Sequence, residues 1–160
     1  MPMSKLKQFL DTEKIPYQSI PHSTAYTAQG IAAVTHISGK ELAKTVIVKL
    51  DDVLSMAVLP ASQQVDLELL KSAVGAKTAS LASEREFRQK FPDCETGAMP
   101  PFGHLYELPM YVEESLSKDA EIAFNACTHN ELIKMTFADF MKATKPKFMK
   151  FSVSHAAKAA

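Results

Sequence analysis

The stretch Thr45-Val-Ile-Val-Lys-Leu-Asp-Asp-Val-Leu-Ser-Met-Ala-Val-Leu59 holds two apolar runs on either side of an acidic pair. The first run is rich in β-branched residues, which fit a pleated, half-buried surface, so residues 45–50 read as a strand. Asp51-Asp52 is the turn, residues 53–59 return as a second strand, and Pro60 closes it. The unit is a β-hairpin. Upstream of it, Ser4 can cap a helix running to about Lys14, with Leu6, Phe9 and Leu10 on its apolar face. Pro16 and Pro21 bracket an extended piece at 17–20. Thr27 opens a second helix over 28–36, with Ile31 and Val34 on one side, and Gly39 ends that region.

Downstream, Leu67, Leu69, Leu70 and Val74 mark a short helix stopped by Gly75. Ser83-Glu-Arg-Glu86 is a capping-box pattern for a helix to about Phe91, with Pro92 as the stop. Residues 94–105 read as an ordered loop, and 121–127 and 131–135 as two more strands. Thr136 starts a last helix with Phe137, Phe140 and Met141 on its apolar side. Strands and helices interleave irregularly, with no repeated βαβ unit and no linker. The expectation is a single compact α+β domain over 1–153 with a mixed sheet, followed by a flexible tail at 154–160.

With 160 residues, 46% hydrophobic and 22% charged, the composition excludes collagen-like, low-complexity and largely disordered chains. Eighteen Lys+Arg against eighteen Asp+Glu argue against a broad electrostatic grip on DNA. The balance is local, however. Residues 1–50 carry six Lys and three acids, 51–100 carry five basic and eight acidic residues, and 140–160 hold five Lys and no acid. Lys142, Lys145, Lys147 and Lys150 form either a phosphate-attracting patch within 142–150 or a solvated face. Two cysteines, Cys94 and Cys127, cannot build a disulfide framework, and no C-x-x-C spacing marks a metal site. No apolar run approaches the ~18 residues of a membrane span, and no signal peptide is evident, so a cytoplasmic protein is expected. The absence of G-x-G-x-x-G, Walker and H-E-x-x-H motifs leaves no cofactor to expect.

Gly97-Ala-Met-Pro-Pro-Phe-Gly103 is uncharged and rich in Gly and Pro. Such a loop is stiff, allows close backbone approach, and offers the amides of Gly97, Ala98, Met99, Phe102 and Gly103 to a developing oxyanion. A tight connection between elements is the plain alternative. Lys44, at the mouth of the first hairpin strand, can hold a phosphate or be a solvated strand-end lysine. His129 can act as acid, base or hydrogen-bond donor, or simply occupy a turn. Cys127, two residues earlier, shares a face with His129 if the strand continues, giving a thiol–imidazole pair; a small buried residue is the alternative. Cys94, beside Pro92 and Asp93, reads as a surface or edge thiol. His22, His36, His104 and His155 have no metal-binding spacing and are read as structural.

Three motifs occur in order: Lys44-Thr-Val-Ile-Val-Lys49, Gly97-Ala-Met-Pro-Pro-Phe-Gly103, and Asn125-Ala-Cys-Thr-His129 followed by a strand and a helix. The combination resembles the YbaK family, which includes the insertion editing domain of bacterial prolyl-tRNA synthetase and its free-standing relatives. The resemblance runs from about residue 5 to residue 148. It implies a barrel-like mixed sheet with surrounding helices, and a trans-editing deacylase that hydrolyses misacylated tRNA without a cofactor or metal. Lys44 matches the lysine that holds the tRNA 3′ end, and Gly97, Ala98, Met99 and Pro101 match the G-x-x-x-P loop at the scissile carbonyl. His129 matches a substrate-positioning histidine. The resemblance also places Ile31, Thr45, Phe102, Gly103 and Cys127 at the substrate. Water attacks in that family, assisted by the substrate's ribose hydroxyl.

The implied partners are the aminoacylated tRNA acceptor end and an aminoacyl-tRNA synthetase, with neither DNA nor membrane, and the chain is expected as a monomer or weak dimer. Two departures bear on the substrate. Pro100-Pro101 stands where the cysteine-editing branch reads Ser-Pro, against cysteinyl-tRNA, and Cys127 stands where relatives often have Gly. Alanyl-tRNA for proline is the first expectation, seryl- or threonyl-tRNA the next. A tRNA-end or synthetase-binding module without turnover, and a thiol hydrolase using Cys127 and His129, are the competing readings.

Overall fold

The computed structural model describes residues 5–24, 28–35, 37, 40–95 and 97–154. α1 (Lys5–Thr12) buries Leu6 and Leu10, one turn apart on its inner face. It is followed by β1 (Gln18–Pro21) and α2 (Ala28–Thr35). Ile31 of α2 is buried, whereas Val34 faces solvent, so the two do not share an inward side. Ser4, Thr27, His36, Gly39 and His155, singled out in the sequence, lie outside the described residues, as does most of the expected tail.

β2 (Ala43–Leu50) and β3 (Val53–Pro60) pair antiparallel in register around Asp51 and Asp52. Both turn residues have positive φ, 52° and 66°, the conformation that matches the twist of a two-residue hairpin. The Asp51 carboxylate accepts the amides of Lys77 and Thr78, tying this turn to the following segment. Then come β4 (Gln63–Val65), α3 (Leu67–Val74), β5 (Ala79–Leu81) and α4 (Glu84–Phe87). α3 ends on Gly75 at φ 81°, and α4 starts with both bonds of the Ser83–Glu86 capping box. α4 gives way to a 3₁₀ turn at Arg88–Lys90 before Pro92.

The loop that follows contains a 3₁₀ turn at Gly103–Tyr106 and leads into β6 (Met110–Glu113). β7 (Glu121–Asn125) and β8 (Glu131–Thr136) precede α5 (Phe137–Thr144), whose N-cap Thr136 accepts the Asp139 amide. β9 (Lys147–Met149) and β10 (Ser152–Ser154) close the chain.

The strands form a five-stranded mixed sheet in the order β5-β2-β3-β6-β9, a three-stranded sheet β1-β8-β7 and a pair β10-β4. β3–β6 and β6–β9 are parallel. The strands do not close into a barrel; a parallel bridge between Leu42 and Ala123 joins the two larger sheets where β2 begins. β5 pairs only with residues 48–50 of β2, which leaves the start of β2 open to β7.

Alternate residues of the hairpin serve different cores. Ile47, Met56 and Val58 join a cluster with Phe102, Phe124 and Phe140, while Val48, Leu50, Ala57 and Leu59 pack with Leu70 and Phe151. Burial on both faces is why the hairpin runs are nearly continuously apolar. A third cluster gathers Ile31, Ile37, Leu42, Ala61, Ala123 and Leu132 under α2. Among the described residues no helix is long and apolar enough to cross a membrane.

Candidate active site

Two loops meet beside the end of β7. The amide of Cys127 donates to the Ala98 carbonyl at 3.0 Å, the Glu95 amide to the Cys127 carbonyl at 2.8 Å, and the Ala98 amide to the Glu95 carbonyl at 3.0 Å. The Glu95 carboxylate accepts the His129 amide at 3.1 Å and lies 4.0 Å from that residue's Nε2. The His129 imidazole is buried against Gly97: a Cβ on Gly97 would meet its Cε1 at 3.4 Å. Gly97 has φ 90°, so glycine answers both the backbone conformation and the close approach. Backbone bonds thus bring the loop of 97–103 and His129 together.

Most of the loop's amides are already engaged. Ala98 donates to Glu95 as above, Phe102 to the Pro100 carbonyl at 2.8 Å, and Gly103 faces the Met110 sulfur at 3.5 Å. Gly97 faces only a weak sulfur acceptor, Met99 Sδ at 3.2 Å. The Met99 amide has no acceptor among the described residues. Of the five amides considered from sequence, Met99 and Gly97 are therefore the two available to an oxyanion. Pro101 is buried. Phe102 is fully buried against Phe124 and Phe140 at 5.4 and 5.7 Å, and serves the core rather than a substrate surface. Gly103 is glycine for packing: a Cβ would come 2.6 Å from the Leu108 carbonyl oxygen.

Lys44 lies in the open part of β2. Alternation puts it on the face of Leu42, which Ile31 covers and where Ala123 of β7 abuts. Ile31 is thus a wall residue of that region and part of its small core. Lys44 is half-buried, desolvation holds its pKa below the usual lysine value, and no carboxylate pairs with it among the described residues. A half-desolvated, unpaired ammonium at the mouth of a strand is suited to an anionic group. Thr45 falls on the opposite face, beside Ala43 and Ile47, with its hydroxyl oxygen buried and unpartnered.

Sequence reasoning missed three neighbours of the site. Glu95 was not singled out, because a loop glutamate carries no local signal of a distant histidine partner. Asn125 ends β7 on the face of Ala123, which bridges Leu42 just before β2, and its Oδ1 is buried with no partner. His22, read as structural, donates its amide to the Asn130 carbonyl at 2.8 Å, beside His129, and its Nε2 is buried without a partner. An apolar strand ending in Asn was the available signal for Asn125.

The cysteines depart from expectation. β7 stops at Asn125, so Cys127 and His129 share no strand face. Cys127 is 2% exposed with φ 72°, a left-handed conformation natural to glycine, which accounts for the Gly common at this position in the resembling family. Its sulfur is paired with that of Cys94, which is half-buried rather than a surface thiol. While the two sulfurs are paired, Cys127 is no thiolate nucleophile, which counts against the thiol-hydrolase reading.

This loop pair is the candidate site of an aminoacyl-tRNA editing deacylase, the class to which the family match below assigns the chain. The chain matches the aminoacyl-tRNA editing domain over residues 22–143 and belongs to that family. It is 27% identical, over 152 residues, to the Multifunctional Ser/Thr-tRNA deacylase ProXp-y of Escherichia coli (strain K12), across 92% of this chain and 90% of that protein. The O157:H7 counterpart matches to the same extent. In fold it is similar to the hypothetical protein APE2540, with a TM-score of 0.85 at 18% identity over 94% of this chain and 100% of that one. It is also similar to a candidate trans-editing enzyme for prolyl-tRNA synthetase, with a TM-score of 0.80 at 20% identity over 96% of this chain and 100% of that one.

Proposed function

We propose that this deacylase hydrolyses the ester of tRNA mischarged with a small hydroxylated amino acid, serine or threonine, ahead of alanine. The observation that carries the order is Asn125 Oδ1, a buried acceptor without a partner at the end of β7, two residues before Cys127. A site holding an unsatisfied acceptor favours a substrate that brings a hydroxyl, and discriminates against one that leaves the acceptor dry. The name of the Escherichia coli relative, a Ser/Thr-tRNA deacylase, supports the same order. Alanine, the first expectation from sequence, becomes the weaker substrate.

In this reading Lys44 holds a phosphate or the ribose of the tRNA 3′ end, and the Met99 and Gly97 amides receive the ester carbonyl oxygen. Water attacks the carbonyl carbon, and its proton is relayed through the substrate's free ribose hydroxyl to the departing ribose oxygen. The tetrahedral oxyanion rests on the two amides, and the bond from carbon to ribose oxygen breaks. Free amino acid and a tRNA with both terminal hydroxyls leave. Each well-placed oxyanion donor contributes about 2.7–4 kcal/mol, so an activated ester needs no side-chain nucleophile. His129, held by Glu95 and Gly97, orients the substrate. The test is single-turnover hydrolysis of proline-specific tRNA charged with serine, threonine or alanine. Serine and threonine are expected to leave faster, and Asn125→Ala to narrow the gap. Alanine leaving fastest from the wild-type protein would reject the assignment.

A further inference from the structure

Cys94 and Cys127, 33 residues apart, bring their sulfurs together between the two loops of the site. Cys94 directly precedes Glu95, whose carboxylate holds the His129 amide, and Cys127 precedes His129 by two residues. The Tyr106 hydroxyl lies 3.4 Å from the Cys94 sulfur and 3.7 Å from that of Cys127, and donates to the Asp93 carboxylate. A non-glycine residue in the left-handed region persists where its surroundings over-determine it. At Cys127 three restraints do so: the amide on Ala98, the carbonyl on Glu95, and the sulfur on Cys94. The first two are backbone bonds of an otherwise irregular loop. The third is removable.

We propose that Cys94 and Cys127 are a reversible thiol–disulfide site that straps the Gly97 loop to the His129 turn, so that their oxidation state sets the deacylation rate. This rests on the deacylase reading given above. The chemistry is exchange with a small-molecule disulfide. Cys94, half-buried, is the sulfur that an external disulfide reaches; its thiolate forms a mixed disulfide and expels one small thiol. Cys127, 2% exposed, then attacks the Cys94 sulfur as thiolate and expels the second. Two protein thiols lose two electrons and two protons, and the small disulfide leaves as two thiols. A dithiol reverses the sequence. Without the strap, Cys127 relaxes from its left-handed conformation, and His129 and the Ala98 carbonyl move with it.

The full chain is treated with glutathione disulfide or with dithiothreitol and freed of reagent. Alkylatable thiols, melting temperature and single-turnover deacylation of seryl-tRNA are then measured. The oxidised form is expected to show no alkylatable cysteine, to melt higher, and to hydrolyse about tenfold faster than the reduced form, as site misplacement alone can produce. Cys94→Ala is expected to keep its circular dichroism and the slow rate under both treatments, with Cys127 unmodified. Cys127→Ala is expected to retain glutathione on Cys94. Both cysteines still alkylatable after the oxidant, equal rates in the two forms, or zinc held with both thiols reduced would each overturn the proposal. If neither form hydrolyses any tRNA, the deacylase reading has failed, and thiol count with melting temperature still decides the strap: equal melting temperatures reject it.

Discussion

In the candidate site Gly97 and Cys127 have positive φ, 90° and 72°, and both stand in the short backbone network around His129. Gly97 lets the imidazole lie directly against the chain. Gly97→Ala adds a Cβ at van der Waals distance from His129 in a backbone region that alanine avoids, at about 1–2 kcal/mol. The prediction is a folded protein whose deacylation rate falls about tenfold or more, read by single-turnover kinetics beside a melting curve. An unchanged rate would remove Gly97 and the His129 contact from the site. Lys44, Gly97 and His129 were candidates from sequence because their residue types in that order carry the family resemblance, and Met99 because it stands inside the G-x-x-x-P loop. Glu95 and the Cys94–Cys127 pairing were not: each depends on a contact across more than thirty residues that no local pattern encodes.

At the scale of elements, the hairpin was readable because β-branched runs and an acidic turn state it locally. The capping box at Ser83 and the stop at Gly75 were readable for the same reason. β6, β9 and β10 were not. β6 and β9 are parallel strands whose partners come from distant segments, and β10 pairs with the three-residue β4, so none is bounded by a hairpin turn. The glycine-proline loop was legible as ordered, but its two glycines turn out to differ. Gly97 answers to the site, Gly103 to the return of the chain past Leu108. Gly103→Ala forces a Cβ to 2.6 Å from a backbone oxygen that cannot swing aside. A loss of about 1–3 kcal/mol is expected, measured as a lower denaturant midpoint, with the stability cost preceding any effect on chemistry. A midpoint equal to wild type would show that the Leu108 segment yields freely.

At the scale of the molecule, one buried carboxylate ties the C-terminal strand to the sheet. Glu113, 2% exposed, accepts the amides of Ser115, Phe151 and Ser152 at 2.9, 2.8 and 3.0 Å. Burial pushes its pKa up, yet these amides and the Ser152 hydroxyl outweigh burial, and the value lies below the usual carboxylate one. A carboxyl depressed in the folded state contributes stability above its unfolded pKa of about 4.3, and loses it as pH falls through the folded value. Glu113→Gln, which cannot accept on both sides, is expected to cost about 1–3 kcal/mol at neutral pH. Thermal melts from neutral to acid pH should show the variant converging on wild type below the carboxylate range. A constant difference at every pH would assign the loss to shape rather than charge.

The zero net charge that argued against DNA is compatible with the one local anionic contact proposed for Lys44, a cation drawn partly out of water. The most direct measurement is single-turnover deacylation of seryl-tRNA at enzyme excess, comparing wild type with Lys44→Ala. Rapid loss of the ester with wild type is predicted, slowed about tenfold to a hundredfold in a variant with unchanged circular dichroism. Mischarged tRNA left intact by the wild-type protein, or hydrolysed equally by both, would contradict the account.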